Sequence, residues 1–294
     1  MSDTSEALAR QIDGAKDLRS VVRTMKALAA ASIGQYEQSV LALADYDRAV
    51  ELGLSACFRD PISGALPPVG LGTKVGVLGA IVFGSDQGLV GQFNDVLTEF
   101  VVAELAKQPE KPRVWAVGER IHARLVDAGF APEGPYAVPN SVEAITALVG
   151  TLQIACEAHH IGGGRGPVHV FHNQPRPGSL YECVSRRLLP LDAAWRNGLA
   201  KTAWPTNNLP EVLGAENSTL RALISGYLFI ALFRACAESL ASENASRLAG
   251  MQRADRNIDE LLEHLQSDFH LLRQNSIDEE LFDVIAGFNS LEGR

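Results

Sequence analysis

Two stretches, one at each end of this 294-residue sequence, contain no proline and repeat apolar or small residues every three or four positions. The first runs from about Ser2 to Phe58. Its stripe is Leu8, Ile12, Ala15, Val22, Met25, Ala29, Ile33, Tyr36, Val40, Leu43, Val50 and Leu54, with gaps at Arg19 and Asp47. The second runs from about Glu216 to Leu291. It carries Ala245, Leu248, Met251, Ile258, Leu262, Leu265, Phe269 and Leu272, with Asp255 completing the turn. A narrow stripe with a period near 3.5 is the seam of a coiled coil. At 1.5 Å per residue the two helices would be ~80 and ~110 Å long, too long for one globular core to cover. The simplest arrangement folds the two ends back on each other as an antiparallel pair.

Between them, from Pro61 to Pro210, short apolar runs alternate with amphipathic stretches. Lys74–Phe83, Arg113–Val117, Val168–His172 and Tyr181–Leu189 read as strands. Asn94–Lys107, Glu119–Ala128 and Ser141–His159 read as helices, the last capped by Asn140 or Ser141. Such alternation predicts a mostly parallel sheet with helices on its faces. The last two strands, joined by Asn173-Gln-Pro-Arg-Pro-Gly-Ser, suit an antiparallel pair. The expected fold is therefore α/β: an antiparallel coiled coil of the N- and C-terminal helices (1–58 and 216–291) plus a Rossmann-like α/β domain (61–210).

Composition narrows the functions. A formal charge of −9 argues against nucleic-acid binding, which favours a basic excess. Cys57, Cys156, Cys183 and Cys236 are far apart and show no zinc-ribbon or CxxC spacing, so reduced thiols are expected. The first residues lack the basic-then-apolar pattern of a signal peptide. The longest apolar stretch, Ala222–Phe233, is shorter than the ~20 residues of a membrane-spanning helix, so membrane association is expected only through partners.

The loop Gly84-Ser-Asp-Gln-Gly-Leu-Val-Gly-Gln-Phe-Asn94 stands after a strand and before a helix, where phosphate-binding loops occur. Its spacing fits neither template. Asp86 takes the place of the second glycine of G-x-G-x-x-G, and Gln92-Phe93 stand where a P-loop needs lysine and a hydroxyl. The expected role of Gly84, Asp86, Gly88, Gly91 and Asn94 is a tight structural turn that lets a helix pack closely on the sheet. Cys156, His159 and His160 share one helical turn, but no further ligand spacing supports a metal. His169 and His172 are three apart in a strand and point to opposite faces. No G-x-S-x-G elbow or HExxH occurs, and Glu279-Glu280 read as a solvated helix face. No catalytic residue, metal or cofactor is expected.

Three segments, in order, resemble the gamma subunits of F-type ATP synthases. Val21-Val-Arg-Thr-Met-Lys-Ala-Leu-Ala-Ala-Ala-Ser32 is similar to the family's N-terminal helix segment, and the 84–94 loop to its S-D-x-G-L-C-G-x-F-N signature. Ser242-Glu-Asn-Ala-Ser-Arg-Leu-Ala-Gly-Met-Gln-Arg-Ala-Asp-Arg-Asn257 is similar to S-E-x-x-A-R-M-x-A-M-x-x-A-T-x-N, and Arg273 to Leu281 to R-Q-x-x-I-T-x-E-L. Val90, Leu248, Asp255 and Asp278 depart from the pattern, as do the residues after Ile285, which lack the family's alanine-rich tip. These departures resemble a divergent bacterial member, such as the second, variant ATPase of this class that some bacteria carry.

The resemblance implies a non-catalytic rotor shaft inside a hexamer of alpha and beta subunits, with a foot that binds the epsilon subunit and the membrane c-ring. It places the chain peripherally on the cytoplasmic face of the cell inner membrane. It implies that Met25 and Lys26 face the beta lever loops, that Arg247 joins that contact, and that Arg273 and Gln274 lie near a beta catch loop. The alternative is a Rossmann-like nucleotide-binding enzyme with helical appendages, which would need a working phosphate loop.

Overall fold

The computed structural model describes residues 2–59, 76–108, 110–159, 166–191, 193–208, 210 and 216–292. In chain order the elements are α1 (Ser2–Ala42), α2 (Ala44–Arg59), β1 (Gly79–Phe83), α3 (Phe93–Leu105), β2 (Arg113–Val117), α4 (Glu119–Asp127), β3 (Glu133–Tyr136), α5 (Val142–His159), β4 (Val168–Arg176), β5 (Ser179–Leu189), α6 (Ala193–Ala200) and α7 (Glu216–Glu292). The chain divides into two compact units, Met1–Ala29 with Arg247–Arg294, and Ala30–Ser246.

The larger unit is built on one five-stranded sheet of order β3-β2-β1-β4-β5. β1 pairs in parallel with β2 and β4, β2 with β3, and only β4–β5 is antiparallel. The expected mostly parallel sheet and its antiparallel pair are both present. β1 and β2 are apolar on both faces because both faces are covered. Ile81, Phe83, Trp115 and Val117 pack with Ile145, Val149 and Leu152 of α5 and with Leu232, Cys236 and Leu240 of α7. Ala80, Val82, Val114 and Ala116 pack on the other face with Leu97 and Val101 of α3 and Ile121 and Leu125 of α4.

Several expectations are corrected. The first helix is not continuous to Phe58; it is interrupted at Leu43. The helix that follows opens with Asp45 and Asp47, which favour a helix N-terminus. Asp47 is also held by Arg234 of α7. The first strand begins at Gly79 rather than Lys74, and residues 74–75 lie outside the described residues. The β4–β5 hairpin is longer than read, turning at Pro177-Gly178, where Gly178 has φ 84°. β3 and α6 were not read from the sequence at all. Ser141 is the cap of α5, its Oγ accepting from Ala144 N at 3.3 Å.

By length and composition, α7 holds a window apolar enough to cross a membrane. Leu228, Ile230, Leu232, Phe233, Cys236 and Leu240 are nevertheless buried inside the chain. This part of α7 reads as the core helix of the larger unit.

The smaller unit is an antiparallel helix pair. Ile12, Ala15 and Val22 of α1 meet Met251, Ile258 and Leu262 of α7, flanked by Met25, Ala254, Leu265 and Phe269. Arg19 lies 2.7 Å from Asp259, and Arg23, later on α1, lies 3.2 Å from Asp255, earlier on α7, so the helices run in opposite directions.

Candidate functional site

The loop after β1 lies at the topological switch point of the sheet, where the strand order reverses about β1 and β4. Doubly wound sheets ordinarily take ligands in that crevice. Here the chain itself lines it. Ser239, Ser242 and Ser246, spaced by three and four on one face of α7, are all buried. Ser239 Oγ donates to Phe83 O at 3.1 Å and Ser246 Oγ to Val90 O at 2.6 Å, while the Ser242 hydroxyl is shared between Asn173 O at 3.0 Å and Glu238 O, one turn back on α7, at 2.8 Å. Asn173 Nδ2 in turn donates to Phe93 O at 3.1 Å. A polar stripe thus fastens α7 to the end of β1, to β4 and to the loop after β1, satisfying carbonyls that burial would otherwise penalise.

Inside the loop, Asn94 Oδ1 accepts from Ser85 N at 3.1 Å and Asn94 Nδ2 donates to Ser85 Oγ at 2.8 Å. Asp86 Oδ1 accepts from Glu119 N and Oδ2 from Val138 N, both at 2.9 Å. Glu119 is the first residue of α4, so the Asp86 carboxylate takes the anion position at that helix N-terminus. Gly84 is required by close approach: a Cβ there would stand 2.3 Å from Ile121 Cβ of α4. Gly91 has φ 58°, and Leu89, a non-glycine residue two positions earlier, is also left-handed at φ 62°. Gly88, Leu89, Gly91, Asn94, Arg120 and Arg124 border an open surface hollow, in which Arg124 pairs with Asp95 at 2.8 Å.

Beside the serine stripe, His172 Nε2 lies 2.8 Å from Glu238 Oε2, and Arg186 reaches the same oxygen at 3.6 Å. Burial pushes the His172 imidazole below its ordinary value, against the pull of Glu238. Nothing in the sequence signals this group, since Glu238 on α7 is 66 residues from His172 and becomes its neighbour only in the fold. The serine stripe had one: its 3–4 spacing, with Ser242 and Ser246 inside the quoted C-terminal motif. His169, on the other face of β4, lies near Ser185 at 3.3 Å.

Cys156 is buried, and burial pushes its thiol up to about 12. His159 Nε2 meets Val77 O at 2.9 Å, and its ring stands edge-on to Trp115; His160 lies outside the described residues. Among the described residues there is no group of three or more His, Cys, Asp or Glu side chains able to hold a metal.

In the helix pair, Met25 is half-buried against the seam, and Lys26 Nζ lies 3.4 Å from Asp255 Oδ2. Arg247 is half-buried on α7, whereas Arg273 and Gln274 are exposed. The structure therefore brings Met25 and Lys26 to one level of the seam and sets Arg273 and Gln274 at a different part of α7.

Fold and site together define a protein with an antiparallel pair of helices from its two chain ends and an α/β unit in which serines of α7 bond the end of β1, β4 and the loop after β1. The ATP synthase family model matches residues 4–291. The ATP synthase gamma chain of Magnetococcus marinus is 27% identical, over 98% of this chain and 99% of that one. That of Bdellovibrio bacteriovorus is 22% identical, over 96% and 97%. The chain belongs to the gamma-chain family of ATP synthases. Its fold is similar to a chain of the Euglena gracilis mitochondrial ATP synthase at TM-score 0.61 and 15% identity, covering 99% of this chain and 95% of that one. It is also similar to one in the central stalk and c-ring structure of the Tetrahymena thermophila mitochondrial enzyme at TM-score 0.54 and 17% identity, covering 80% and 99%.

Proposed function

We propose that this chain is the central rotor shaft of an F-type ATP synthase. It couples ion flow through a membrane ring to ATP synthesis or hydrolysis in a hexamer of alternating alpha and beta subunits. The observation that carries this reading is the antiparallel pairing of α1 with α7 in a member of the gamma-chain family. Its partners are the alpha and beta subunits around the helix pair, and the epsilon subunit and c-ring at the α/β unit. It sits peripherally on the cytoplasmic face of the inner membrane, held there by those partners, and holds no catalytic residue of its own.

A ligand shifts a conformational equilibrium only through unequal affinity for the two states. An asymmetric shaft inside a ring of three identical beta subunits supplies that inequality by geometry. Each beta meets a different face of the shaft, and rotation permutes the three. In this reading Met25, Lys26 and Arg247 serve the beta lever contact, and the exposed Arg273 and Gln274 a beta catch loop. A helix N-terminus already filled by Asp86 and a loop that departs from both phosphate-binding templates support a chain that takes no nucleotide itself.

The test is to purify the native complex through this chain and identify what accompanies it. Alpha, beta, epsilon and c subunits are expected, and a lone chain would overturn the reading. Calorimetric titration of the pure chain with Mg-ATP is expected to give no binding. Micromolar affinity would restore the nucleotide-enzyme alternative.

A further inference from the structure

The seam of the helix pair is interrupted by charge. On α1 the buried or half-buried seam residues are Ile12, Ala15, Val22, Met25 and Ala29, and on α7 Met251, Ala254, Ile258, Leu262 and Leu265, with Arg19 and Asp255 filling gaps in the two stripes. Arg19 and Asp255 thus occupy places that a coiled coil normally gives to apolar residues, and Lys26 stands beside the seam residue Met25. They meet at one level. Asp255 Oδ1 lies 3.2 Å from Arg23 Nε and 3.9 Å from Arg19 Nε, and Asp255 Oδ2 lies 3.4 Å from Lys26 Nζ. Its side chain is only 14% exposed, against 32% for Arg19, 53% for Arg23 and 39% for Lys26. The second carboxylate of the cluster, Asp259, serves Arg19. Three cations from α1 therefore converge on one inward-facing carboxylate from α7.

We propose that Asp255 is the electrostatic keystone of the helix pair: a positioning residue that, among the described residues, pairs with both Arg23 and Lys26 and so holds the N-terminal arm of α1 against α7. The apolar seam at this level is thin. Val22 and Met25 on one side face Met251, Ala254 and Ile258 on the other. Without the carboxylate, Arg23 and Lys26 would be left unneutralised beside Arg19, and the mutual repulsion of the three cations favours parting the helices. The role depends on charge, whereas a packing role for the same side chain would depend on shape.

The experiment uses the full chain with cysteines placed at Ala15 and Leu262, which share the seam cluster, and reads oxidative cross-link yield together with amide exchange across residues 12–26. Asp255→Asn keeps the shape and removes the charge. It is expected to cut the cross-link yield severalfold and to speed exchange in this stretch about tenfold, through local opening of the arm. Asp255→Glu should keep wild-type behaviour. Adding Arg23→Gln and Lys26→Gln to Asp255→Asn should restore much of the yield, because the unpaired cations are gone. Circular dichroism of each variant separates local opening from loss of the helices. Unchanged cross-linking and exchange in Asp255→Asn would overturn the proposal, as would a loss that the triple variant fails to reverse.

Discussion

Removing the Asp86 carboxylate should destabilise the α/β unit without touching its apolar core. Its two oxygens accept from the backbone N–H groups of Glu119 and Val138, tying the loop after β1 to the start of α4 and to the segment after β3. A typical intramolecular hydrogen bond is worth ~0.5–1.5 kcal/mol net, more when one partner is charged. A carboxylate at a helix N-terminus adds ~0.3–1 kcal/mol. Asp86 is half-buried, so values near the middle of these ranges apply, and Asp86→Ala should cost about 2–3 kcal/mol. With a urea slope of about 2–3 kcal/mol per molar, the unfolding midpoint should fall by about 1 M. Asp86→Asn should lie between: its amide oxygen can keep one bond, but its NH2 then faces an N–H donor. The assay is urea titration of the full chain, followed by circular dichroism and by Trp115 fluorescence, since Trp115 is fully buried in the sheet. A loss below about 0.5 kcal/mol in Asp86→Ala, the range of ordinary surface substitutions, would refute the reasoning. It would mean that water replaces both bonds and that the loop is held by Gly84 and Asn94 alone.

Gly84→Ala forces a Cβ to within 2.3 Å of Ile121 Cβ and should cost about 1–3 kcal/mol by overpacking, read as a lower melting temperature; an unshifted transition would mean that α4 moves freely. His172 is held below its ordinary 6.5 by burial, so the folded chain prefers it neutral: its contribution is intact above pH 6.5 and is lost as pH falls through the depressed value. The urea midpoint should therefore drop between pH 7.5 and pH 5, and less steeply in His172→Gln; equal slopes would assign the effect to other groups. Met25→Lys places a further cation beside Lys26 and Arg23. In the purified complex it should lower ion transport relative to ATP hydrolysis more than it lowers subunit yield, and normal coupling at normal yield would count against the lever contact.

The sequence alone determined the elements whose signal is a repeat in one dimension. The three-and-four spacing from Leu8 to Val40 and from Ala245 to Leu272 sufficed for α1 and this part of α7, because such a helix buries an apolar stripe, but the break at Leu43 was not legible, since the spacing runs on through it to Leu54. The runs Gly79–Phe83 and Arg113–Val117 were legible as strands because both faces are covered. β3 was not: Glu133–Tyr136 is four residues at the sheet edge, containing Gly134 and Pro135, and only backbone pairing with β2 makes it a strand. α6 was hidden in a proline-flanked segment, where packing of Trp195 against Phe58 and Tyr227 supplies what local pattern does not. The departure of the 84–94 loop from both phosphate templates could be read, but what fills the crevice could not. Ser239, Ser242 and Ser246 are polar residues on a helix, and apolar periodicity passes over them; their meaning comes from carbonyls of β1, β4 and the loop, which only the fold brings within reach. The same holds for Asp255. In the sequence it is a gap in a stripe, and it becomes a partner for Arg19, Arg23 and Lys26 only when the two ends of the chain, more than 200 residues apart, lie side by side. Local pattern sets which backbone forms; long-range charge and hydrogen-bond pairing is set by distance in space, which a one-dimensional sequence does not carry.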